Sequence, residues 1–287
     1  METTLNLATN NATRTARFMA YPLVRIILGI VLTFVAVPLT MGIVSKLVEK
    51  PYRMVWPQLL AAVLVWCGYR FHVRRIERRE PTELSTQGMG RQLGLGLLIG
   101  VALVTATFGV LAALGVYRFA GFNAPGWMLL VPLAELVLVG MAEEMVFRGV
   151  IFGVTEKALG AKWAVVISAL LFSLAHLPND GMSALAVAVI AAYGVLQALL
   201  YLKTRRLWAC IGTHIAWNYC VSQVFSSTVS GHSANAGLMR GELVGNPMLT
   251  GGVFGVEASV VTLLLIGAAA CLMTTRRGYA ATTPGTR

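Results

Sequence analysis

Residues 127–154 read WMLLVPLAELVLVGMAEEMVFRGVIFGV, an apolar run that carries two adjacent carboxylates and a guanidinium. About 20 apolar residues are enough for a helix to cross the hydrocarbon core of a bilayer, so this run is predicted to lie in the membrane. An unpaired charge in that environment is strongly unfavourable, and intramembrane charges are usually functional. The run therefore predicts a helical membrane protein with a polar site around Glu143, Glu144 and Arg148.

The composition of the whole chain supports this prediction. Of its 287 residues 57% are hydrophobic and only 12% are charged, with a mean hydropathy of +0.73, whereas a soluble domain has roughly 25% charged residues. We predict an all-α fold, a polytopic transmembrane helix bundle of about eight spans. The apolar runs that predict them are 26–45, 54–71, 93–116, 127–154, 162–178, 183–201, 207–228 and 253–273.

The basic residues predict the orientation of this bundle. The net charge of +11 would suggest nucleic acid binding in a soluble protein, but these residues collect in short loops between the spans, which indicates membrane topology instead. Seventeen share one side: Arg14, Arg17, Arg25, Arg70, Arg74, Arg75, Arg78, Arg79, Arg91, Lys157, Lys162, Lys203, Arg205, Arg206, Arg276, Arg277 and Arg287. Five lie on the other: Lys46, Lys50, Arg53, Arg118 and Arg240. This asymmetry predicts that both termini lie in the cytoplasm. The composition looks bacterial, so the predicted location is the bacterial plasma membrane.

The remaining segments give the predicted domain limits. Residues 1–25 are predicted to form a cytoplasmic segment, residues 26–276 the transmembrane bundle and residues 277–287 a disordered tail. Within the bundle, residues 230–252 are predicted to form an external loop. The first apolar run is too long for a signal-peptide core and is predicted to be a retained anchor.

The cysteines show no C-x-x-C spacing and are interpreted as buried thiols; they are Cys67, Cys210, Cys220 and Cys271.

Helical spacing separates the roles of the two adjacent acids. Residues four apart share a helix face, so Glu144 and Arg148 are predicted to form an ion pair, which lowers the free energy of burying both charges. Glu143 is then the unpaired carboxylate and a usable proton acceptor. The alternative is that both acids only join helices or face a water-filled vestibule.

Two histidines follow on later apolar runs. Glu144 and His176 each lie 16 residues from a turn at Gly160, about 24 Å along a helix, so an antiparallel hairpin would bring them to a similar depth. Phe172, one turn before His176, would support its ring. The alternative is an ordinary interface histidine.

His214 and Asn218 also share a helix face, and an imidazole beside a carboxamide provides two hydrogen-bond donors directed at one point. This arrangement suits an oxyanion. The alternative is a polar contact between helices. Glu135 and Glu257 are further intramembrane acids for which the sequence indicates no partner, and both are interpreted as structural.

Three motifs occur in order on separate apolar runs: Glu-Glu-x-x-x-Arg at 143–148, Phe-x-x-x-His at 172–176 and His-x-x-x-Asn at 214–218. Together they resemble the CPBP intramembrane protease family, which includes the type II CAAX prenyl endopeptidases and bacterial relatives linked to bacteriocin processing or immunity. The resemblance covers residues 127–224, which are therefore predicted to form the catalytic core.

The resemblance implies an endopeptidase that hydrolyses a peptide bond in a membrane-associated or prenylated substrate. Glu143 would activate a water molecule that His176 helps to hold, and His214 with Asn218 would stabilise the oxyanion. The resemblance therefore predicts Glu143, Glu144, His176, His214 and Asn218 as catalytic residues and Arg148 and Phe172 as supporting residues.

No cofactor is predicted, since a metal-free glutamic mechanism is favoured over a metal site whose ligands would have to come from three helices. The alternative is a zinc metalloprotease, since two histidines and a glutamate are a familiar zinc ligand set and the metal would also generate hydroxide. The chain has no His-Glu-x-x-His sequence.

Two other classes of function fit intramembrane Glu and His residues. A membrane transporter would use them as ion or proton sites, but carriers usually contain repeated halves, and none is evident in the chain. A non-proteolytic immunity or scaffold protein would keep the cavity without the activity. The predicted partners are a membrane-associated peptide or protein and the lipid bilayer, with no nucleic acid; the sequence predicts no oligomeric state.

Overall fold

A computed structural model describes residues 18–233 and 236–275 of the chain, and these residues are mostly helical, which confirms the all-α fold. Residues 1–17 and the predicted tail lie outside the described residues. The α-helices are α1 (Pro22–Phe34), α2 (Ala36–Leu47), α3 (Trp56–Phe71), α4 (Met89–Ala113), α5 (Val131–Glu144), α6 (Gly153–Leu159), α7 (Ala161–Ala175), α8 (Ala184–Thr204), α9 (Leu207–Tyr219), α10 (Pro247–Thr250) and α11 (Val260–Thr275). π-helical segments cover His72–Ile76, Met145–Phe152 and Cys220–Val224, and 3-10 segments cover Lys50–Tyr52, Thr82–Leu84, Gly126–Leu130, Gly252–Phe254 and Val256–Ala258.

The length and composition of the helices indicate a membrane-embedded bundle. Among the described residues, three helical segments are long and apolar enough to cross a bilayer, and they are Pro22–Leu47, Met89–Ala113 and Ala184–Thr204. The first of them joins α1 to α2, and the shorter α7 and α11 are also apolar. Large apolar side chains on α1 are exposed, as lipid contact requires. These helices confirm an integral membrane protein but not the number of eight spans.

A small sheet joins two of the connecting segments. Strand β1 (Tyr117–Phe122) pairs antiparallel with strand β2 (Met239–Leu243), and the register shifts between Phe119 and Gly121, which is the mark of a β-bulge. The segment 230–252, predicted only as a loop, therefore contains a strand. β2 is only five residues long, and so short a strand carries little signal in a single sequence.

Glycines bring helix α9 into backbone contact with helix α4. A Cβ atom added to Gly96 would lie 2.1 Å from the carbonyl oxygen of Ala209, and one added to Gly100 would lie 2.7 Å from that of Thr213. From the other side, a Cβ on Gly212 would lie 2.5 Å from the carbonyl oxygen of Leu93. Small residues four apart allow this close approach in membrane proteins. The contact fixes the helix that carries His214 and Asn218.

Replacing Gly96 with valine is expected to destabilise the fold. The new side chain must push the backbone of α9 away, and overpacking of this kind costs about 1–3 kcal/mol. Thermal unfolding of the purified protein in detergent would show a lower Tm. Gly94→Val is the matched control, because a Cβ at Gly94 meets nothing within 4 Å. Equal Tm losses in the two variants would contradict the role of this contact.

Ion pairs hold together the end of the bundle where α3 finishes. Glu77 contacts Arg79 Nε at 2.8 Å and Lys157 Nζ at 2.5 Å, and Arg79 also pairs with Glu83. Burial by itself would raise the pKa of Glu77, but its contacts with His72, Arg79 and Lys157 hold that pKa well below its ordinary value. The loop between α3 and α4 is therefore fixed to α6.

Candidate active site

The two adjacent acids lie where α5 ends and a π-helical segment begins. Glu144 is the last residue of α5, and Met145–Phe152 continue the same helix with π geometry, which is often found at functional sites. The Arg148 guanidinium lies 3.1 Å from Glu144 Oε1, and both side chains are fully buried. It also donates to the Gly194 carbonyl at 3.2 Å and stacks 4.6 Å above the Phe172 ring. The predicted ion pair is therefore present.

Glu144 has two further partners from distant helices. His214 Nδ1 lies 2.9 Å from Glu144 Oε1, and Gln197 Nε2 donates to the same oxygen at 3.1 Å. Gln197 also donates to the Cys210 carbonyl, so this amide joins α8 to α9 beneath the site. Sequence reasoning missed Gln197. Its signal was a single amide in an otherwise apolar run, a residue type that is costly to bury without partners.

Glu143 points to a different environment from Glu144. Its side chain is 24% exposed, and its Oε2 lies 3.8 Å from His214 Nε2. The ring of His214 is therefore held between two carboxylates, with Nδ1 on Glu144 and Nε2 towards Glu143. This arrangement orients the imidazole and leaves Glu143 free to contact a water molecule.

One cavity of about 450 Å³ contains the four residues predicted to act on the substrate, which are Glu143, His176, His214 and Asn218. A water molecule occupies roughly 30 Å³ in the liquid, so this volume can hold water together with part of a peptide. Glu135, interpreted as structural, also lines the cavity. The structure thus brings carboxylate, imidazoles and amide to one space, while their catalytic roles stay predictions.

His176 lines this cavity immediately after the end of α7, and Phe172 lies one turn before it on that helix. The Phe172 carbonyl lies 2.8 Å from His176 Nδ1, and because a carbonyl only accepts, Nδ1 carries the proton. Nε2 is then left for water or substrate. The Phe172 ring lies 4.7 Å from the ring of His176 and 6.3 Å from that of His214, so Phe172 packs between the two histidines.

Asn218 lies one turn beyond His214 on α9, and both residues are buried. The Asn218 backbone carbonyl accepts a hydrogen bond from Ser222 Oγ at 2.7 Å. Its side-chain amide has no bond of this kind to another described residue and lines the cavity. The amide is therefore available as a donor beside His214.

Glu257 has partners, and the prediction that it lacks them is wrong. Trp217 Nε1 donates to Glu257 Oε1 at 2.6 Å, and the Ser230 hydroxyl donates to Oε2 at 2.8 Å. The backbone N–H of Ser230 donates to the same oxygen. These partners come from other segments of the chain, so local spacing could not reveal them. Glu257 fastens the loop at Ser230, part of the cavity wall, to the helix of His214.

Replacing Glu257 with glutamine is expected to destabilise this loop. A neutral amide loses the charge-assisted hydrogen bonds and places an NH₂ group against donors, and each hydrogen bond to a charged group contributes about 1.5–3 kcal/mol. The measurement is Tm together with the rate of limited proteolysis within 226–257. Glu242→Gln, at an exposed position of β2, is the matched control. Indistinguishable proteolysis of the two variants would rule out the fastening role.

The buried cysteines were predicted only in part. Cys210 and Cys220 are buried, but Cys67 and Cys271 are exposed, so for them the prediction is wrong. Both lie on apolar helices, α3 and α11, on faces that the bundle does not cover.

The choice between a metal-free mechanism and the zinc alternative stays a prediction. Within the two described ranges, no group of three or more His, Cys, Asp and Glu residues could hold a metal ion. His214 directs its nitrogens at Glu144 and Glu143, and His176 Nδ1 is bonded to a backbone carbonyl.

Comparison with known proteins agrees with the motifs. The family model for Rce1-like proteins, type II CAAX prenyl endopeptidases, matches residues 125–220. The chain is also 26% identical over 179 residues to the "Putative membrane peptidase YdiL" of Bacillus subtilis (strain 168), an overlap that covers 58% of this chain and 71% of the relative. No solved structure matches the chain significantly. These matches confirm the resemblance to the CPBP intramembrane protease family that the three motifs carry.

Proposed function

We propose that the chain is an intramembrane glutamic endopeptidase that cleaves a membrane-associated peptide or protein with a water molecule activated by Glu143. The observation that carries this proposal is the single cavity shared by Glu143, His176, His214 and Asn218. A buried water that attacks a peptide needs a base, an oxyanion site and access to water. The residues of this cavity supply all three.

In the proposed reaction, Glu143 and His176 Nε2 hold a water molecule between them. Glu143 accepts a proton as the water oxygen attacks the carbonyl carbon of the scissile bond, which gives a tetrahedral intermediate with a negative oxygen. His214 Nε2–H and the Asn218 amide donate to that oxygen. Glu143 then returns the proton to the leaving nitrogen as the C–N bond breaks, so one water is consumed and an acid and an amine are formed.

Glu144 and Arg148 act in this proposal through His214 and do not touch the substrate. With its ring protonated on both nitrogens, His214 donates Nδ1–H to Glu144 and presents Nε2–H to the oxyanion. Arg148 balances the charge of Glu144, and Gln197 fixes the position of its carboxylate. Such preorganised donors stabilise the transition state because they need not reorient during the reaction.

The proposed topology has eight spans with both termini in the cytoplasm and a catalytic core over residues 127–224. Every apolar run predicted as a span coincides with helical structure, and the fourth and seventh runs include the π-helical segments Met145–Phe152 and Cys220–Val224. The excess of basic residues on one side supports the orientation.

The proposal is tested by comparing the termini of membrane-associated peptides in cells that carry the native chain and in cells that carry Glu143→Gln. Termini that are present only with the native chain identify substrates, whether prenylated or not. Equal expression of the two chains is the control. Identical sets of termini would instead favour a transporter or a non-proteolytic immunity or scaffold protein.

A further inference from the structure

The mouth of the catalytic cavity lies at one defined end of the bundle. Its walls come from the beginnings of α3 and α5, at Gln58 and Glu135, and from the ends of α7 and α9, at His176 and Asn218. The loop at 229–233 completes the wall, and its residues His232 and Ser233 are exposed. Helices that begin and end at the same level run antiparallel, so the opening faces the loops that follow α2, α4, α7 and α9.

The basic residues gather at the opposite end. Ion pairs and hydrogen bonds join the loops of that end to one another: Lys157 to Glu77, Arg205 to Glu156, and Trp208 Nε1 to the Ser85 carbonyl at 2.9 Å. Twelve described basic residues lie there, namely Arg25, Arg70, Arg74, Arg75, Arg78, Arg79, Arg91, Lys157, Lys162, Lys203, Arg205 and Arg206. The mouth end has five, namely Lys46, Lys50, Arg53, Arg118 and Arg240.

Short loops rich in Lys and Arg stay in the cytoplasm during membrane insertion. The loop of residues 72–88 is short and holds four arginines in its sequence HVRRIERREPTELSTQG. It therefore contributes strongly to the predicted orientation of the bundle. If it is cytoplasmic, the cavity must open on the other face of the membrane. The charge pattern and the cavity are independent observations, and together they fix the side on which the substrate enters.

Exposed apolar side chains beside the mouth indicate that it lies at the membrane interface. Trp127 is 65% exposed and Leu130 62%, immediately before the cavity residues of α5, and Phe119 and Phe122 project from β1. Aromatic side chains concentrate at the level of the lipid headgroups. A substrate would therefore reach Glu143 from the interface and not from deep in either aqueous phase.

We infer that the catalytic cavity opens on the extracytoplasmic face of the membrane and that its substrate is a translocated peptide segment at that surface, such as an exported leader or the outer juxtamembrane part of a membrane protein. Only the part of this inference that concerns the substrate rests on the proposed protease function. The side of the opening follows from the charges and the cavity. A protein lipidated in the cytoplasm would then be on the wrong side for cleavage.

The inference is tested by labelling single cysteines in intact cells with a membrane-impermeant maleimide. In a chain with its native cysteines changed to serine, Ser233→Cys at the mouth is expected to react in intact cells, and Arg75→Cys at the basic end only after permeabilisation. The reverse pattern, or equal reaction of both before permeabilisation, would overturn the inference.

A reporter fused after residue 287 gives a second measurement that does not depend on either cysteine variant. Green fluorescent protein is expected to fluoresce there and alkaline phosphatase to be inactive, because the C-terminus would be cytoplasmic. An active phosphatase would overturn the inference even if one cysteine variant failed to fold. Labelling should be unchanged when Glu143→Gln is also present. The orientation of the cavity and the proposed proteolysis are therefore tested separately.

Discussion

Glu143→Gln is expected to lower kcat/KM for cleavage of a membrane-associated peptide by about 10²–10⁴-fold, the usual contribution of a positioned general base. Glutamine has nearly the same shape but cannot take a proton from water. Because Glu143 is partly exposed and shares no hydrogen bond with another described side chain, its replacement should leave the fold intact. The measurement is cleavage by the purified protein in liposomes, with Tm measured in parallel.

The control for this experiment is Glu135→Gln, which removes an exposed carboxylate from the wall of the same cavity. It should change the rate little, since Glu135 lies two turns earlier on α5 and has no role in the proposed mechanism. A normal rate for Glu143→Gln would refute the catalytic assignment. A loss of the same size in both variants would indicate that the charge of the cavity matters and not one base.

A strong chelator provides a further arm of the same assay. The glutamic mechanism predicts that cleavage persists after metal ions are removed, whereas a zinc enzyme would lose its activity and recover it when zinc is added.

Local spacing predicted those features of the site that lie within one helix. The pair of Glu144 and Arg148 and the common face of His214 and Asn218 both follow from the helical repeat. The contact of His214 with Glu144 joins residues 70 apart in sequence, and no single-sequence pattern gives such a distance. The family resemblance supplied that grouping, and four residues of the motifs, namely Glu143, His176, His214 and Asn218, line one cavity.

The features that sequence reasoning missed depend on neighbours from other helices. In the sequence, Gln197 is a single amide in an apolar run, and its role depends on the packing of α9 beside it. Glu257 accepts hydrogen bonds from Trp217 on α9 and from Ser230 in the loop. Gly96 is one of many glycines in an apolar run, and its role appears only when the backbone of Ala209 is seen against it. Composition predicted a membrane bundle because burial in lipid affects whole segments, but it could not predict these pairwise contacts.

Arg148→Met is expected to produce the largest loss of stability. The Glu144 carboxylate is fully buried and would keep only His214 and Gln197 as partners. Removing one member of a buried ion pair typically costs about 3–5 kcal/mol, because the other charge is left uncompensated. A loss of this size is expected here. Methionine replaces the aliphatic part of the side chain but not the guanidinium or its hydrogen bonds, including the one to the Gly194 carbonyl. The measurement is denaturant unfolding in detergent.

The double variant Glu144→Gln with Arg148→Met separates charge burial from lost packing. If the orphaned carboxylate causes the instability, neutralising it should restore much of what Arg148→Met loses, since a buried pair can often be replaced by neutral residues at little cost. If the double variant is less stable than the single one, Arg148 acts mainly through Gly194 and the Phe172 ring. Cleavage should stay low in the double variant even where stability returns, because His214 no longer has a charged partner at Nδ1 to orient it. Stability and activity would then respond differently to the same two residues, which is the behaviour expected if the ion pair supports the oxyanion donor and does not itself touch the substrate.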